Sequence, residues 1–443
     1  MMKKVLLIID HFKRDLRGIA LIAYWLNVKY EIKPYITHTR NELSSLIKHK
    51  PDLILLQHVR HHHQREFLEY AKIQGTAIGL LLAEGFSNYP NNVLFSVGRD
   101  EYIPYIDLFM PWGPDLIKSC RNAPLIQKAH VVPVGSPRFD YHTKQYADLF
   151  ISRRKFCNRL DLPTDSQFVL WMSSTKYANP EEGYHAFVKR SKKSSFSDNR
   201  IVAVIEEKSR DQQLVYDTLS SYFAALAEEF DKTTFLIKPH PAERIIVYQE
   251  RFRSYPNVKI VDDSAVGLSD LIYHADVQLN WRCTTSAEAW VMNIGKRVIG
   301  IEVPDLELDE FKYITQGNDM VADYGQLRDK TEYYLAGGTV PEHLIEKRKQ
   351  FIENFLVAND GNSAKRCAGV ISNFIQGRKS PKHNWATVKT VAKYFRRYRF
   401  NREWVLDKRT PEHPKYIDPD IFHGEIKKCE SLFGQKCDYY LDM

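Results

Sequence analysis

The sequence predicts two consecutive α/β domains, each built on a doubly wound parallel sheet. Short, continuously apolar segments alternate with helical patterns through the first third of the chain, and a second series of this kind follows a polar, basic break at residues 136–166. Apolar strands separated by helices are typical of parallel sheets covered on both faces. Two series of similar length therefore predict two Rossmann-like domains that face a cleft, followed by a helical extension.

The composition agrees with this architecture. The chain has 443 residues, of which 44% are hydrophobic and 27% are charged, which is enough apolar material for two cores. No apolar run approaches the roughly 20 residues of a membrane span, and the first one, Val5–Ile9, is too short for a signal-peptide core. The six cysteines are scattered and indicate neither a zinc site nor a disulfide framework. We therefore expect a cytoplasmic protein.

The first domain is expected to span residues 1–150. Strands are predicted where apolar residues continue without interruption, and helices where they recur at helical spacing. The predicted strands are Lys4–Ile9, Ile32–Ile36, Asp52–Gln57, Ala77–Leu82, Asp107–Pro111 and His130–Val134. The predicted helices are Gly18–Leu26, Arg40–Lys48, His61–Ile73 and Pro114–Arg121.

The second domain is expected to span residues 151–340. Its predicted strands are Phe168–Met172, Ile201–Ile205, Thr234–Lys238, Val258–Val261, Val277–Asn280 and Arg297–Ile301. Its predicted helices are Asp211–Phe230, Ala265–His274 and Thr284–Met292. Two more predicted helices, Pro341–Phe355 and Ser363–Gln376, are expected to cross back and brace the first domain, so residues 341–376 form a bracing segment.

One candidate anion site follows a strand of the second domain. The strand Thr234–Lys238 leads into Lys238-Pro239-His240-Pro241, and ligands of open α/β sheets bind beyond the carboxyl ends of the strands. The two prolines restrict the backbone on both sides of His240. We expect Lys238 and His240 to bind a phosphate or ribose oxygen; the alternative is a loop histidine without a ligand.

A second candidate follows the strand Val277–Asn280. Three hydroxyl residues, Thr284, Thr285 and Ser286, open the next helix, and the free N–H groups and dipole of a helix start attract anions. We expect these residues to hold a nucleotide phosphate and Glu288 to bond ribose hydroxyls. The alternative is a simple helix cap in which Glu288 is the capping-box partner.

These motifs, taken in order, resemble the bacterial surface carbohydrate biosynthesis protein family over about residues 3–376. The segments that carry the resemblance are Lys238–Pro241, Cys283–Ala289, Ala83–Gly85, Pro111–Gly113 and Gly135–Asp140. More distantly, the His-Pro and Thr-Ser elements are similar to the retaining β-Kdo transferases of capsule and O-antigen (lipopolysaccharide) synthesis, which are GT-B enzymes that use CMP-Kdo. The resemblance implies that His240 and Thr284–Ser286 hold CMP. The sequence departs from the family at Ala83 and at Ser173–Thr175.

A retaining transfer by double displacement needs a nucleophilic carboxylate and an acid/base group. We assign Glu84 as the acid/base group, because it follows the strand Ala77–Leu82 and precedes Gly85, whose missing side chain leaves room for a substrate. Asp140 is the candidate nucleophile; the alternatives for it are a pair with Arg138 and a turn cap. Weaker candidates for the acceptor site are Asp10, His11 and Arg138.

We predict no metal and no cofactor other than the nucleotide-sugar substrate. The histidines at positions 58, 61, 62 and 63 lack an adjacent acidic ligand, and histidine spacing alone does not specify a metal site. The sequence also has no Asp-x-Asp signature beside a strand.

The net charge of +8 is concentrated in one segment. Eleven basic and two acidic residues lie between Arg378 and Arg409, mixed with aromatic residues. The aromatic residues are Trp385, Tyr394, Phe395, Tyr398, Phe400 and Trp404. Basic aromatic segments bind anionic membranes, so we expect residues 377–443 to form a tail that attaches the protein to the cytoplasmic face of the inner membrane. A chain that ends at Gln376 is then expected to keep its transferase activity. The alternative is a helix packed on the enzyme. Nucleic acid is not an expected partner.

The expected function is transfer of an ulosonic sugar, Kdo or a relative, from a CMP donor to a glycan acceptor that is lipid-linked. The alternatives are an inverting transferase that uses a UDP or GDP sugar, an enzyme similar to CDP-glycerol glycerophosphotransferases, and, from another class, a non-catalytic scaffold of a polysaccharide assembly complex.

Overall fold

The computed structural model of the chain describes residues 2–39, 41–59, 64–85, 100–175, 178, 199–241, 243–262, 265–303, 306, 312–381, 389, 392 and 417–442. The strands are β1 Lys4–Ile9, β2 Lys33–His38, β3 Leu53–Leu56, β4 Ala77–Leu80, β5 Leu108–Phe109, β6 His130–Val131, β7 Phe168–Met172, β8 Thr234–Lys238, β9 Val258–Ile260, β10 Val277–Asn280, β11 Val298–Ile301, β12 Asp319–Val321 and β13 Tyr440–Leu441.

The helices are α1 Phe12–Tyr30, α2 Glu42–His49, α3 Gln64–Gln74, α4 Pro114–Ser119, α5 Pro124–Lys128, α6 Pro137–Asp140, α7 Arg153–Leu160, α8 Asn199–Glu229, α9 Ile245–Arg251, α10 Leu268–His274, α11 Thr285–Met292, α12 Lys312–Thr315, α13 Tyr324–Leu335, α14 Glu342–Leu356, α15 Ser363–Ile375 and α16 Pro419–Phe433. Within the described residues, none of these helices is both long enough and apolar enough to cross a bilayer.

The chain divides into two compact units. Unit 1 comprises residues 1–149 and 350–443, and unit 2 comprises residues 150–349. The first division lies next to the expected boundary at residue 150. The chain re-enters unit 1 at Gln350, so most of the segment expected to brace the first domain and the described part of the expected tail belong to unit 1 itself.

The sheet of unit 1 has the strand order β13-β2-β1-β3-β4-β5-β6. Its inner strands are continuously buried, as their apolar runs require. From β1 the chain first adds β2 on one side and then β3 on the other, and both pair with β1 in parallel. The strand order therefore reverses between β1 and β3, where doubly wound folds have their topological switch point.

The sheet of unit 2 has the strand order β12-β11-β10-β7-β8-β9. Counted from its own first strand this is the 3-2-1-4-5-6 order of a Rossmann domain. Because β7 lies between β8 and β10, with parallel pairing to both, the switch point of unit 2 lies between β7 and β10.

One predicted strand was wrong. Ile201–Ile205 lies inside the helix α8, which begins at Asn199, twelve residues before the predicted start at Asp211. A short apolar run with β-branched residues fits a strand and a buried helix equally well, and only its length and surroundings distinguish them.

The returning chain packs closely on the first half of unit 1. The helix α15 packs along α1. At Gly135 the backbone has φ of +85°, and a Cβ there would lie 2.4 Å from Ser363 Oγ at the start of α15 and 2.9 Å from the carbonyl oxygen of Leu356. Gly135 is thus required both by its own turn and by the approach of the returning segment.

The residues at 417–442 are integral to unit 1 and are not a detachable tail. The helix α16 packs on α1, and β13 adds a parallel strand beside β2. The Asp442 carboxylate accepts hydrogen bonds from Ser45 Oγ at 2.7 Å and Lys48 Nζ at 2.7 Å and lies 3.0 Å from His49 Nε2. The expectation that a chain ending at Gln376 stays active is therefore corrected, because that truncation removes α16 and a strand of the sheet. The six aromatic residues on which the membrane prediction rests, at positions 385, 394, 395, 398, 400 and 404, lie outside the described residues.

Substitution of Asp442 by Ala should destabilise unit 1. Three polar partners on α2 would lose a buried acceptor, so we expect the free energy of unfolding to fall by about 2–3 kcal/mol. Asp438 is a matched control, because its side chain is 70% exposed and pairs with Lys33, so Asp438→Ala should cost less than about 1 kcal/mol. Urea unfolding followed by circular dichroism measures both variants, and equal effects would contradict this role of Asp442.

Candidate functional site

The switch point of unit 1 brings two polar loops together. Asp10 follows β1, and Gln57 and His58 follow β3. The Asp10 N–H donates to Gln57 Oε1 at 2.9 Å, and His58 Nε2 lies 3.1 Å from Asp10 Oδ1. Both side chains of this Asp–His pair are less than a tenth exposed. The loop that follows β1 is therefore fixed to the loop that follows β3.

Arg14 in the first turn of α1 bridges three carboxylates at the same edge. Its guanidinium binds Asp15 at 2.7 Å, Glu84 Oε1 at 2.6 Å and Asp10 Oδ2 at 3.3 Å. Burial opposes the charged form, but the carboxylates of Asp15, Glu84 and Asp10 raise the pKa of Arg14 above its ordinary value. The N–H of His11, a weaker acceptor-site candidate, donates to Asp15 at 2.9 Å. The structure thus places Asp10, His11 and Glu84 in one polar cluster.

Glu84 is the accessible carboxylate of this cluster. Its side chain is 52% exposed, and the adjacent guanidinium stabilises its negative charge. The expectation for Gly85 is corrected: a Cβ at this position would lie 2.4 Å from the ring of Trp112, so the absence of a side chain accommodates Trp112 and not a substrate. Trp112 Nε1 donates to the carbonyl of Leu82 at 2.7 Å, which holds the ring against this loop.

Asp140, the predicted nucleophile, has a structural contact in unit 1. It ends α6, is 2% exposed, and its two oxygens accept from the backbone N–H groups of Ser363 and Ala364 at 2.9 and 2.6 Å. When Asp140 is ionised, its charge complements the positive end of α15. Burial raises the pKa of Asp140 to about 7, although the two N–H groups and Arg366 act in the opposite direction. The nucleophile assignment stays a prediction, and the geometry favours an anchor for α15. Arg138, in the same helix α6, has its guanidinium carbon 5.4 Å from the centre of the Phe139 ring.

The switch point of unit 2 has its own set of strand-end loops. Ser173–Thr175 follows β7, Pro239–Glu243 follows β8 and Trp281–Thr284 follows β10. The Ser174 hydroxyl donates to the carbonyl oxygen of Trp281 at 2.7 Å. This bond joins the two loops that flank the switch point, where ligands of Rossmann domains bind.

The two residues predicted in the His-Pro segment differ in accessibility. Lys238 is 6% exposed, and its Nζ donates to the carbonyl oxygen of Pro239 at 2.8 Å, so its side chain is hydrogen-bonded inside the unit. His240 is half-buried and its backbone N–H donates to Glu243 Oε2 at 3.0 Å. Of the two, His240 is the side chain that this loop presents at the carboxyl edge of the sheet.

Most polar side chains at the start of α11 are buried within the unit. Ser286 is fully buried, with its Oγ 2.7 Å from the side-chain amide of Asn280 and 3.0 Å from Asn318 Nδ2. Thr285 is 6% exposed and Glu288 is 1% exposed, so neither offers surface for a ligand contact in this conformation. Thr284, which is half-buried, and the positive end of α11 remain at the edge of the sheet. The binding roles of these residues stay predictions.

Sequence reasoning missed three residues of these clusters. Arg14 gave no signal, because its carboxylate partners are brought together only by the fold. Ser174 was noted only as a departure from the family pattern. Glu243 did have a signal: an acidic side chain three positions after His240 can reach back to the His240 N–H, as the acidic residue of a capping box does.

The expectation that no metal is required stays a prediction. Among the residues that the structure describes, no group of three or more His, Cys, Asp and Glu side chains is arranged to hold a metal ion. His58 pairs with Asp10, and residues 61–63 lie outside the described part.

Comparison with known proteins places the fold. No protein-family model and no curated protein sequence matches the chain. Among solved structures, S. aureus MnaA with UDP is 13% identical, with a TM-score of 0.52 over 86% of this chain and 100% of its own. A variant of the wall teichoic acid polymerase TagF soaked with CDPG is 10% identical, with a TM-score of 0.55 over 84% and 89%. The Neisseria meningitidis UDP-GlcNAc 2-epimerase bound to UDP-GlcNAc is 13% identical, with a TM-score of 0.53 over 84% and 99%.

The fold is GT-B-like. The predicted fold class, two Rossmann-like α/β domains with added helices, is confirmed by the two parallel sheets and by this likeness. At 10–13% identity the likeness concerns the fold and does not extend to activity.

Substitution of Asp140 by Asn should reveal its anchoring role through pH. One of the two buried N–H donors loses its acceptor, so we expect a loss of about 1–3 kcal/mol in the free energy of unfolding. Because the folded pKa of about 7 lies above the ordinary value of 3.8, the stabilisation by Asp140 is fully present below about pH 4 and is lost as the pH rises through 7. The cost of Asp140→Asn should therefore be larger at pH 5 than at pH 8.

Asp360→Asn is the matched control in the same region. Despite partial burial, Arg366 and Asn362 lower the pKa of Asp360, so its contribution is lost only as the pH falls below about 4. Chemical denaturation at several pH values measures both variants. A cost of Asp140→Asn that does not decrease between pH 5 and pH 8 would contradict the raised pKa of Asp140. A free energy of unfolding equal to that of the wild type at pH 5 would contradict the anchoring role.

Proposed function

We propose that the chain is a glycosyltransferase of surface polysaccharide synthesis that binds a nucleotide-activated sugar at the switch point of unit 2. One observation carries the proposal: the loops after β7, β8 and β10 converge at that switch point, and Ser174 hydrogen-bonds across it to Trp281. Rossmann domains bind nucleotides at this position. The fold neighbours provide separate support, since UDP, CDPG and UDP-GlcNAc are named as their ligands.

The proposed donor is a CMP-activated ulosonic sugar, Kdo or a relative, as the resemblance of the His240 and Thr284–Ser286 segments implies. The imidazole of His240 and the positive end of α11 would neutralise the phosphate of the donor without a metal. The structure modifies this proposal, because the hydroxyls of Thr285 and Ser286 and the Glu288 carboxylate are buried. Thr284 and the backbone N–H groups at the helix start are then the contacts that remain.

For the transfer step we propose Glu84 as the acid/base group. It is exposed, and Arg14 and Asp10 belong to the same cluster. In the first displacement the predicted nucleophile Asp140 would bond the anomeric carbon of the sugar while the bond from that carbon to CMP breaks and CMP leaves. In the second, Glu84 would take the proton of the acceptor hydroxyl while the hydroxyl oxygen bonds the anomeric carbon and the bond from that carbon to the nucleophile breaks. We propose that the transfer retains the anomeric configuration, as the resemblance implies, and that the acceptor is a lipid-linked glycan.

Nucleotide choice tests the proposed function. Calorimetric titration with CMP, CDP, UDP and GDP should give the tightest binding for CMP, and ligand binding should raise the melting temperature accordingly. His240→Ala should weaken binding about tenfold or more, because a charge-assisted phosphate contact is lost. Glu84→Gln should bind CMP as the wild type does and lose turnover.

Each result has a distinct meaning for the proposal. A clear preference for UDP or GDP would replace the CMP assignment and keep the transferase. A lack of binding by all four nucleotides would contradict the proposed function. A Glu84→Gln enzyme with near-normal kcat would remove Glu84 from the reaction.

We also propose that the basic segment between Arg378 and Arg409 attaches the enzyme to the cytoplasmic face of the inner membrane. Its proposed partner is an anionic lipid surface, where each basic residue contributes about 1 kcal/mol. The chain enters this segment from unit 1, where Ser380 Oγ donates to Asp52 at 2.9 Å, and the buried Ile417 follows it. Both flanks are therefore held by unit 1, and the charge should be tested without truncation.

Charge removal from this segment should abolish membrane attachment. The protein should sediment with vesicles containing phosphatidylglycerol at low salt and be released at high salt. Replacement of Lys393, Arg396, Arg397 and Arg399 by Gln should abolish sedimentation. The control variant carries the same change at four exposed basic residues of unit 2 and should sediment as the wild type does. These residues are Arg154, Lys155, Arg159 and Lys232. Equal losses in both variants, or no sedimentation of the wild type, would contradict the proposal.

A further inference from the structure

The turn that carries His240 is closed by Glu243. The His240 N–H donates to Glu243 Oε2 at 3.0 Å, and the Glu243 N–H donates to the His240 carbonyl oxygen at 2.8 Å. The backbone bond closes a turn, and the side-chain bond reaches back to the first residue of that turn as the acidic residue of a capping box does. Pro239 and Pro241 restrict the backbone on both sides of the histidine. The turn therefore has little conformational freedom while the Glu243 carboxylate stays in place.

The same carboxylate joins this turn to the loop after β7. Tyr248 in α9 donates its hydroxyl to Glu243 Oε2 at 2.8 Å, and Thr175 donates to Glu243 Oε1 at 3.3 Å. The Ser173 hydroxyl lies 2.5 Å from the Tyr248 hydroxyl. Glu243 thus accepts one bond from its own turn, one from α9 and one from the loop at the switch point.

Burial makes this arrangement persistent. Tyr248 is 2% exposed, and both Ser173 and Thr175 are 3% exposed. Burial, together with the negative charge of Glu243, raises the pKa of Tyr248 above its ordinary value, so its hydroxyl keeps its proton and remains a donor. Networks of this kind in a low-dielectric interior stabilise one geometry when all their members are satisfied.

We propose that Glu243 is the positioning residue of the donor site: through these three hydrogen bonds it holds the turn that carries the His240 imidazole in register with the loop that follows β7. Ser174 in turn joins the loop after β7 to the loop after β10. This inference rests on the proposed function of unit 2 as the nucleotide-binding unit. Glu243 acts through His240 and the hydrogen-bond network and does not itself contact the donor. The role depends on its capacity to accept hydrogen bonds and not on its charge.

Two substitutions separate hydrogen bonding from charge. Glu243→Ala removes every acceptor and should weaken nucleotide binding about tenfold. Glu243→Gln should bind within about threefold of the wild type. Its amide oxygen can still accept from His240 and Tyr248, while its NH2 group can donate to the Thr175 hydroxyl. Glu250→Gln, at an exposed acidic residue of α9, is the matched control and should leave binding unchanged.

A double-mutant cycle with His240 tests whether Glu243 acts through the histidine. The affinity for CMP, or for whichever of CMP, CDP, UDP and GDP binds the wild type, is measured for wild type, His240→Ala, Glu243→Ala and the double variant. In the His240→Ala background, Glu243→Ala should change the affinity less than twofold. A similar tenfold loss in both backgrounds would show that Glu243 supports the unit in general, and a full loss in Glu243→Gln would show that its charge is required; either result overturns the proposal.

Amide hydrogen exchange provides a measurement that needs no nucleotide. In the ligand-free protein the His240 N–H should exchange faster in Glu243→Ala than in wild type and be protected again in Glu243→Gln. Equal exchange in wild type and Glu243→Ala would overturn the proposal by itself. If no nucleotide binds the wild type while the exchange pattern is as expected, the proposed function fails and the positioning of the His240 turn by Glu243 stands.

Discussion

The position at which each sheet reverses its strand order is the constraint on which the rest of the structure depends. In unit 1 the reversal lies between β1 and β3, and in unit 2 between β7 and β10. Loops that leave neighbouring strands in opposite directions open a crevice at the carboxyl edge. A polar contact lies at each of these positions: Asp10 pairs with His58 in unit 1, and the Ser174 hydroxyl donates to the Trp281 carbonyl oxygen in unit 2.

The two clusters differ in charge, and the difference agrees with the separate roles proposed for them. Unit 1 presents three carboxylates bridged by Arg14, with Glu84 the exposed member, which suits proton transfer and the recognition of sugar hydroxyls. Unit 2 has His240 after β8 and the positive end of α11 after β10, at the same edge of its sheet, and both suit a phosphate. In the loop that carries His240, the Glu243 carboxylate accepts hydrogen bonds from the His240 N–H and from the Tyr248 and Thr175 hydroxyls.

Much of the fold could be predicted from the sequence because its inner strands are continuous apolar runs, and β7, β8 and β10 were predicted to the residue. The strand β13 could not be predicted, because two residues of an edge strand have no periodicity and their pairing with β2 depends on the returning chain.

In the candidate site, sequence position identified strand-end residues but not their partners. From the sequence, Asp140 was predicted to be a nucleophile with an accessible carboxylate. In the fold, both of its oxygens accept hydrogen bonds from the start of α15. Ser286 was likewise predicted to bind a phosphate, but in the fold it is buried against Asn280 and Asn318.

The central claim is that unit 2 binds a nucleotide at its switch point. A crystal structure of the chain soaked with CMP tests it most directly. The account predicts density for the nucleotide at the carboxyl edge of β7, β8 and β10, with its phosphate within hydrogen-bonding distance of the His240 imidazole and the start of α11. Density for the nucleotide at the Asp10–Arg14–Glu84 cluster of unit 1, or an empty carboxyl edge in unit 2 at saturating CMP, would contradict it.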